Sequence, residues 1–379
     1  MSMRPEHHLS FKRLKWMILI LLFLVWFING FLFKLLDLVP RHTEIVAHIL
    51  GKEHANLITK LIGTGEVLIS IWVLIGIYGR LSALMQIVLI LTMNIIEFIV
   101  VPDLLIFGKF NLLFAIGLSV IIYWNEYHFK TKPIGLWAFF KSQPFAVRAH
   151  FDFSLVLTFS IPKDQAIKRL PAPLLPDTFD EKHAFLAIAI VKCNGLRPVF
   201  FPAFLGQDFY LTGYRIFSKY ININNKRLRG LYILQSQTDK ELMKYLGKIF
   251  TRYQYRTSDV SLEYKNNIGY IRSELSDMEI IFREKGEEIV LPDGSVFPSW
   301  KEARRFAGPL PFTFSVDQLK NEILIIEGVR ENWNPEPVEI LNYKIPYLHG
   351  FDAQLASAFM VKNVPYSWKK GKIEQLVEV

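Results

Sequence analysis

The chain has 379 residues, of which 51% are apolar and 21% charged, with a formal net charge of +9, a length that suits two domains. The basic excess forms no Lys/Arg block longer than two or three residues, which argues against nucleic acid as a partner. One cysteine, Cys193, excludes an intramolecular disulfide and any CxxC redox or zinc motif, and its apolar flanks read as inert core.

Charges are sparse up to Trp124 and frequent from Asn125 onward, so the averages mix two unlike regions. The composition divides the chain into a membrane domain at 1–127, a basic juxtamembrane linker at 128–147 and a water-soluble domain at 148–379. Four segments have the ~20 apolar residues that a bilayer crossing needs: Trp16–Leu36, Leu57–Ile77, Leu81–Val101 and Leu104–Trp124. A polar loop from Pro40 to Asn56, the turn Tyr78-Gly79-Arg80 and the turn Pro102-Asp103 separate them. The first segment is too long for a signal core and lacks a small-x-small cleavage site, so it reads as retained.

Arg4, Lys12, Arg13, Lys15, Arg80, Lys130, Lys132, Lys141 and Arg148 fall on one side of the four spans. The positive-inside rule then predicts a multi-pass protein of the cell membrane with both termini and the soluble domain cytoplasmic.

The spans hold more polar residues than an anchor needs. At 1.5 Å per residue, Lys34 lies ~3 Å, Glu97 ~6 Å and Lys109 ~7 Å below the outer end, which allows a Lys–Glu–Lys cluster. Asn94 shares the Glu97 face. Glu66 falls ~14 Å deep, with Asn29 at ~10 Å within reach and no cation at that level. Such groups either satisfy one another and fix helix register, or line a pocket for a small molecule or a proton path.

The stretch Trp26-Phe27-Ile28-Asn29-Gly30 with Lys34, and Ile62-Gly63-Thr64-Gly65-Glu66 in the second span, resembles the DoxX-like family of four-helix membrane proteins over residues 12–127. The resemblance implies a helical bundle, and for some relatives a place in sulfur- or quinone-linked redox complexes. An accessory role beside a partner membrane subunit is therefore one alternative, although no redox motif is present.

Beyond the linker Lys130-Thr131-Lys132-Pro133, strand patterns dominate: Phe151–Ile161, Ala184–Lys192, Phe209–Tyr220, Leu231–Gln235, Ser258–Tyr264, Ile268–Glu274, Met278–Arg283, Glu322–Val329 and Val338–Ile345. Two capping boxes open helices, Thr238-Asp239-Lys240-Glu241 and Ser299-Trp300-Lys301-Glu302, the second stopped by Gly308-Pro309. Many strands with few helices predict a soluble α+β domain, mainly an antiparallel β-barrel. Walker, GxGxxG, HExxH and GxSxG patterns do not occur, and no metal site or resident cofactor is expected.

Leu170-Pro171 to Phe179, Ala184–Ile190, Gly195-Leu196-Arg197-Pro198, Thr212-Gly213-Tyr214 and the unit Gly230–Tyr255 resemble the YqjF-like uncharacterised domain, similar in fold to acetoacetate decarboxylase, over residues 146–379. Those decarboxylases form a Schiff base through a lysine that follows the helix here at Lys240–Phe250. That place falls on or near Tyr255, which cannot make an imine. The resemblance leaves a pocket in which Tyr214, Arg215, Arg252, Tyr255 and Arg256 are candidates for holding a small carboxylate or carbonyl ligand. Whether the domain only binds, or catalyses without a Schiff base, stays open.

Overall fold

The computed structural model describes residues 5–128, 135–284, 291–308 and 310–376, with side-chain placement in the first helix from Leu14 onward. The linker Lys130–Pro133, Arg4 and Pro309 lie outside the described residues. The chain separates into two compact units, Met1–Phe139 and Phe140–Val379.

The first unit is helical. Helix α1 (Pro5–Phe27) passes directly into a π-helical run at Ile28–Leu35, followed by α2 (Arg41–Leu50), α3 (Ala55–Ile75), α4 (Gly79–Val100) and α5 (Phe110–Tyr123). Among the described residues three helical stretches are long and apolar enough to cross a membrane: Leu14–Leu35, Ala55–Ile75 and Gly79–Val100. Their outward faces are largely apolar and exposed, as lipid-facing helices require, while Leu19, Leu22, Trp26, Val73, Ala83, Ile90, Ala115 and Ile122 form the core.

Two expectations change here. The fourth segment was read as helical from Leu104, yet Pro102–Leu104 is a short 3-10 turn and Gly108 adopts a positive φ of +51°. The helix therefore starts at Phe110 and runs 14 residues before a π-helical turn at Trp124–His128. The loop Pro40–Asn56 contains α2, whose Ile45 and Val46 are buried, Ile45 against Val101 and Leu105. Its amphipathic face was hidden in a stretch judged by its polarity.

A short α6 (Leu136–Phe140) spans the boundary, and the second unit is a 14-stranded sheet with a few helices: α7 (Lys163–Arg169), α8 (Glu241–Phe250) and α9 (Trp300–Ala307). The strands are β1 (Val147–Pro162), β2 (Leu175–Pro176), β3 (His183–Pro198), β4 (Gln207–Ile221), β5 (Arg227–Thr238), β6 (Tyr255–Thr257), β7 (Ser261–Lys265), β8 (Ile268–Ser273), β9 (Met278–Glu284), β10 (Phe312–Asp317), β11 (Glu322–Arg330), β12 (Glu336–Lys344), β13 (Gln354–Trp368) and β14 (Lys372–Gln375). Along β11-β10-β5-β4-β3-β1-β13 each strand pairs with the next, and β13 pairs back onto β11 through Gly328 with Trp368 and Arg330 with Tyr366. The pairings thus form a closed circuit of seven strands. Within it only β10–β5 is parallel.

Alternation along the strands gives the circuit two faces. Leu155, Leu157, Ile188, Ile190, Tyr214 and Ile216 join one large core with Ile271, Ile280 and Phe282 of β8 and β9. The intervening residues of β3, Ala187, Ala189, Val191 and Cys193, face the other way and are small. Strands β10 and β13 carried no sequence expectation. Most of β13 is buried on both faces, so its pattern does not alternate. The Ser299 cap is as expected, its hydroxyl accepting from the Glu302 N–H at 3.3 Å. Thr238 is no cap, because it ends β5 and Lys240 precedes α8 instead.

Candidate functional site

Two polar sites stand out, one in each unit. In the helical unit, the π-helical run and α3 cross at two glycines. A Cβ on Gly30 would lie 2.6 Å from the Gly63 carbonyl oxygen, and one on Gly63 would lie 2.8 Å from that of Gly30. That approach brings Lys34 Nζ to 2.5 Å from Glu66 Oε1, with both side chains 6% exposed. The other Glu66 oxygen is buried without a hydrogen-bond donor.

This corrects the expectation that Glu66 has no cation at its depth. The first turns of α3 run past the end of the π-helical run, so Lys34 meets the fourth turn of α3 rather than its start. Asn29 does not reach Glu66; its amide donates to the Val25 carbonyl at 2.8 Å. Asn94 likewise donates back to Ile90 O at 2.9 Å. Glu97 is half-buried and within electrostatic reach of Lys34, Glu66 and Arg41. Lys109 is exposed at the residue before α5 and is no part of a Lys–Glu–Lys cluster.

In the sheet unit, a cavity of about 200 Å³ is lined by residues from all seven strands of the circuit. Its walls are mainly apolar and aromatic, including Phe151, Phe209, Phe217, Phe359 and Trp368. Set into them are Arg215, Arg330, Tyr253, Tyr255, Tyr366 and Trp333. No Asp, Glu or Lys is among the lining residues.

Glycines make room for these groups. A Cβ on Gly213 would stand 2.7 Å from Arg215 Nε, and one on Gly247 of α8 would stand 2.5 Å from the Tyr255 ring. Gly328 leaves the space that the Tyr366 hydroxyl occupies. Arg330 donates to Leu310 O at 2.9 Å and stacks its guanidinium 4.4 Å over the Trp333 ring. The Nε atoms of Arg215 and Arg330 and the indole N–H of Trp333 are buried and have no acceptor.

Burial pulls the Arg215 guanidinium below its ordinary pKa; the phenols of Tyr366, Tyr253 and Tyr255 oppose this, and Arg330 adds to it. Burial likewise pushes the Tyr255 phenol up to about 12 and raises that of Tyr253 further. At neutral pH the tyrosines are therefore neutral hydroxyls, able to donate. Cys193 also lines the cavity, its thiol pushed up to about 12 by burial and by Asp208 and Asp152, which leaves a protonated, poor nucleophile.

Of the five expected ligand-binding residues, Arg215 and Tyr255 reach the cavity. Tyr214 neighbours Arg215 on β4 and so points to the opposite face, stacked 4.1 Å from Tyr347 with its hydroxyl donating to Gln237 Oε1 at 3.3 Å. Arg252 is engaged at 2.7 Å with Glu322, and Arg256 is exposed. Arg330, Tyr366, Trp333 and Tyr253 had not been picked out as site residues. Arg330 and Tyr366 meet only because β11 and β13 close the circuit.

Residues 23–124 match the DoxX-like family, and residues 148–307 match a family described as an uncharacterized conserved protein. No curated protein matches the chain. Similar solved structures include an acetoacetate decarboxylase-like enzyme from Sphingomonas wittichii RW1, 11% identical over 62% of this chain and 93% of that one, at a TM-score of 0.40. The acetoacetate decarboxylase of Legionella pneumophila is 10% identical over 66% of this chain and 94% of its own, at 0.42. The enduracididine biosynthesis enzyme MppR, complexed with the condensation product of pyruvate and imidazole 4-carboxaldehyde, is 7% identical over 60% and 88%, at 0.39. The chain thus joins a DoxX-like match in its helical region to a match with that uncharacterized conserved family in its sheet region.

Proposed function

We propose that this is a multi-pass membrane protein whose sheet domain, an acetoacetate-decarboxylase-like barrel on the cytoplasmic side, binds a small carboxylate. In this reading four helices cross the bilayer, the fourth formed by α5 with its π-helical turn. The observation that carries the ligand is the set of unmatched donors in the cavity: two arginine Nε groups and an indole N–H without acceptors, and no acid beside them. A carboxylate supplies the missing acceptors and charge, and a guanidinium matches its planar geometry. The aromatic walls suit an apolar body attached to it.

Titration calorimetry on the purified full chain tests this with small carboxylates and their primary amides. Carboxylates should bind and amides should not. Equal binding of both, or none of either, would contradict the proposal. Because no lysine lines the cavity, borohydride with acetoacetate or pyruvate should leave the protein mass unchanged.

A further inference from the structure

The segment that leads from β3 into β4 is apolar where a water-facing loop should be polar. In Val199–Leu205 five large apolar side chains are exposed, Phe204 at 83% and Phe200 at 68%, with Val199, Phe201 and Leu205 beside them. Pro202 and a 3-10 turn at Ala203–Leu205 give the segment a fixed shape. Exposed apolar side chains elsewhere in the unit are scattered, whereas five within seven residues form a patch that suits a contact surface.

Its base sits at one corner of the sheet. The Val199 N–H donates to Ala146 O at 3.0 Å, and the Phe200 ring meets Phe145 edge-on at 5.6 Å. Phe145 packs on Phe250, which also meets Phe140. This is the corner where the chain enters the sheet unit after the helical region. From there β1 runs 16 residues, about 50 Å, to its other end at Pro162. Beneath the loop Arg148 of β1 pairs in register with Arg197 of β3, and Arg148 is exposed. Arg197 is half-buried and donates to the Gly195 carbonyl at 2.8 Å, so the exposed cation here is Arg148. An aromatic tip with an arginine at its base suits a membrane interface, with rings among the acyl chains and the Arg148 guanidinium at the phosphates.

We propose that Val199–Leu205 dips into the lipid bilayer that the chain's own apolar helices cross. Attachment to those helices keeps the loop at high local concentration beside the membrane, so a few inserted side chains suffice.

The test uses the full chain in liposomes with a polarity-sensitive fluorophore on Phe204→Cys, and separately on Leu205→Cys. The native Cys193 is buried, and the control position is Asn266→Cys in the exposed β7–β8 turn. At 204 and 205 we expect blue-shifted emission, quenching by lipids spin-labelled near the headgroup and protection from aqueous iodide. At 266 we expect the reverse. Iodide quenching at 204 and 205 equal to that at 266 would overturn the proposal. Protection from iodide without lipid quenching would overturn it too, assigning the loop to a protein contact instead.

Discussion

Two buried-cation sites, one in each unit, are built in opposite ways. In the helical unit Lys34 has its carboxylate at 2.5 Å, delivered by a glycine crossing that leaves no room for anything larger. In the sheet unit Arg215 and Arg330 share a cavity that holds no carboxylate, and each keeps an Nε group without an acceptor. A charge taken out of water is costly unless matched. Where the match comes from the same chain, the pair fixes a helix crossing. Where it is missing, the site is shaped for something from outside.

That contrast breaks most visibly at Glu66. Glu66→Leu strands a buried ammonium and should destabilise the helical unit by about 3–5 kcal/mol. Adding Lys34→Met should recover most of the loss, because an apolar pair replaces an ion pair. Thermal unfolding of the full chain in detergent checks both, and a double variant no better than the single one would show that the pair is not the reason Glu66 matters. Gly30→Ala comes next: its Cβ would meet the Gly63 carbonyl oxygen at 2.6 Å, so the helices must part, at about 1–3 kcal/mol. The same melts read this out.

On the other side of the comparison, Arg330→Leu should weaken carboxylate binding about 10- to 100-fold, the worth of one charged hydrogen bond, yet leave ligand-free stability unchanged or higher. Calorimetry and melting on one preparation give both numbers. The smallest expected effect is at Cys193. With its thiol pushed up to about 12, only about 1 in 10,000 molecules is a thiolate at pH 8. Alkylation should be absent in the native protein and complete in denaturant, and rapid native labelling would mean that the cavity is wetter than drawn.

The sequence made the two-unit division legible because composition changes abruptly near Asn125, and period-two patterns exposed most long strands. It misplaced what depends on three-dimensional register. Counting 1.5 Å per residue assumed that all helices start at one level, which separated Lys34 from Glu66. The π-helical run at Ile28–Leu35 and the overhang of α3 remove that assumption. In the cavity, Arg215 and Tyr255 were legible because each adjoins or ends a stretch that carries the family resemblance, Thr212-Gly213-Tyr214 and Gly230–Tyr255. Tyr214 was wrongly added because neighbours in a strand face opposite ways. Arg330 and Tyr366 are 36 residues apart, and no local pattern announces that β11 and β13 pair.

If the cavity arginines serve a ligand and not the fold, losing them removes binding and spares stability. Melting temperatures of the wild-type chain and of Arg215→Leu/Arg330→Leu, each with and without a carboxylate that binds the wild type, decide it in one experiment. At a hundredfold excess over Kd, binding should stabilise the wild type by about 2.7 kcal/mol and raise its melting temperature by several degrees. The double variant, ligand-free, should melt at or above the wild type and should not respond to the carboxylate. A double variant that melts well below the wild type and still responds in full would contradict it.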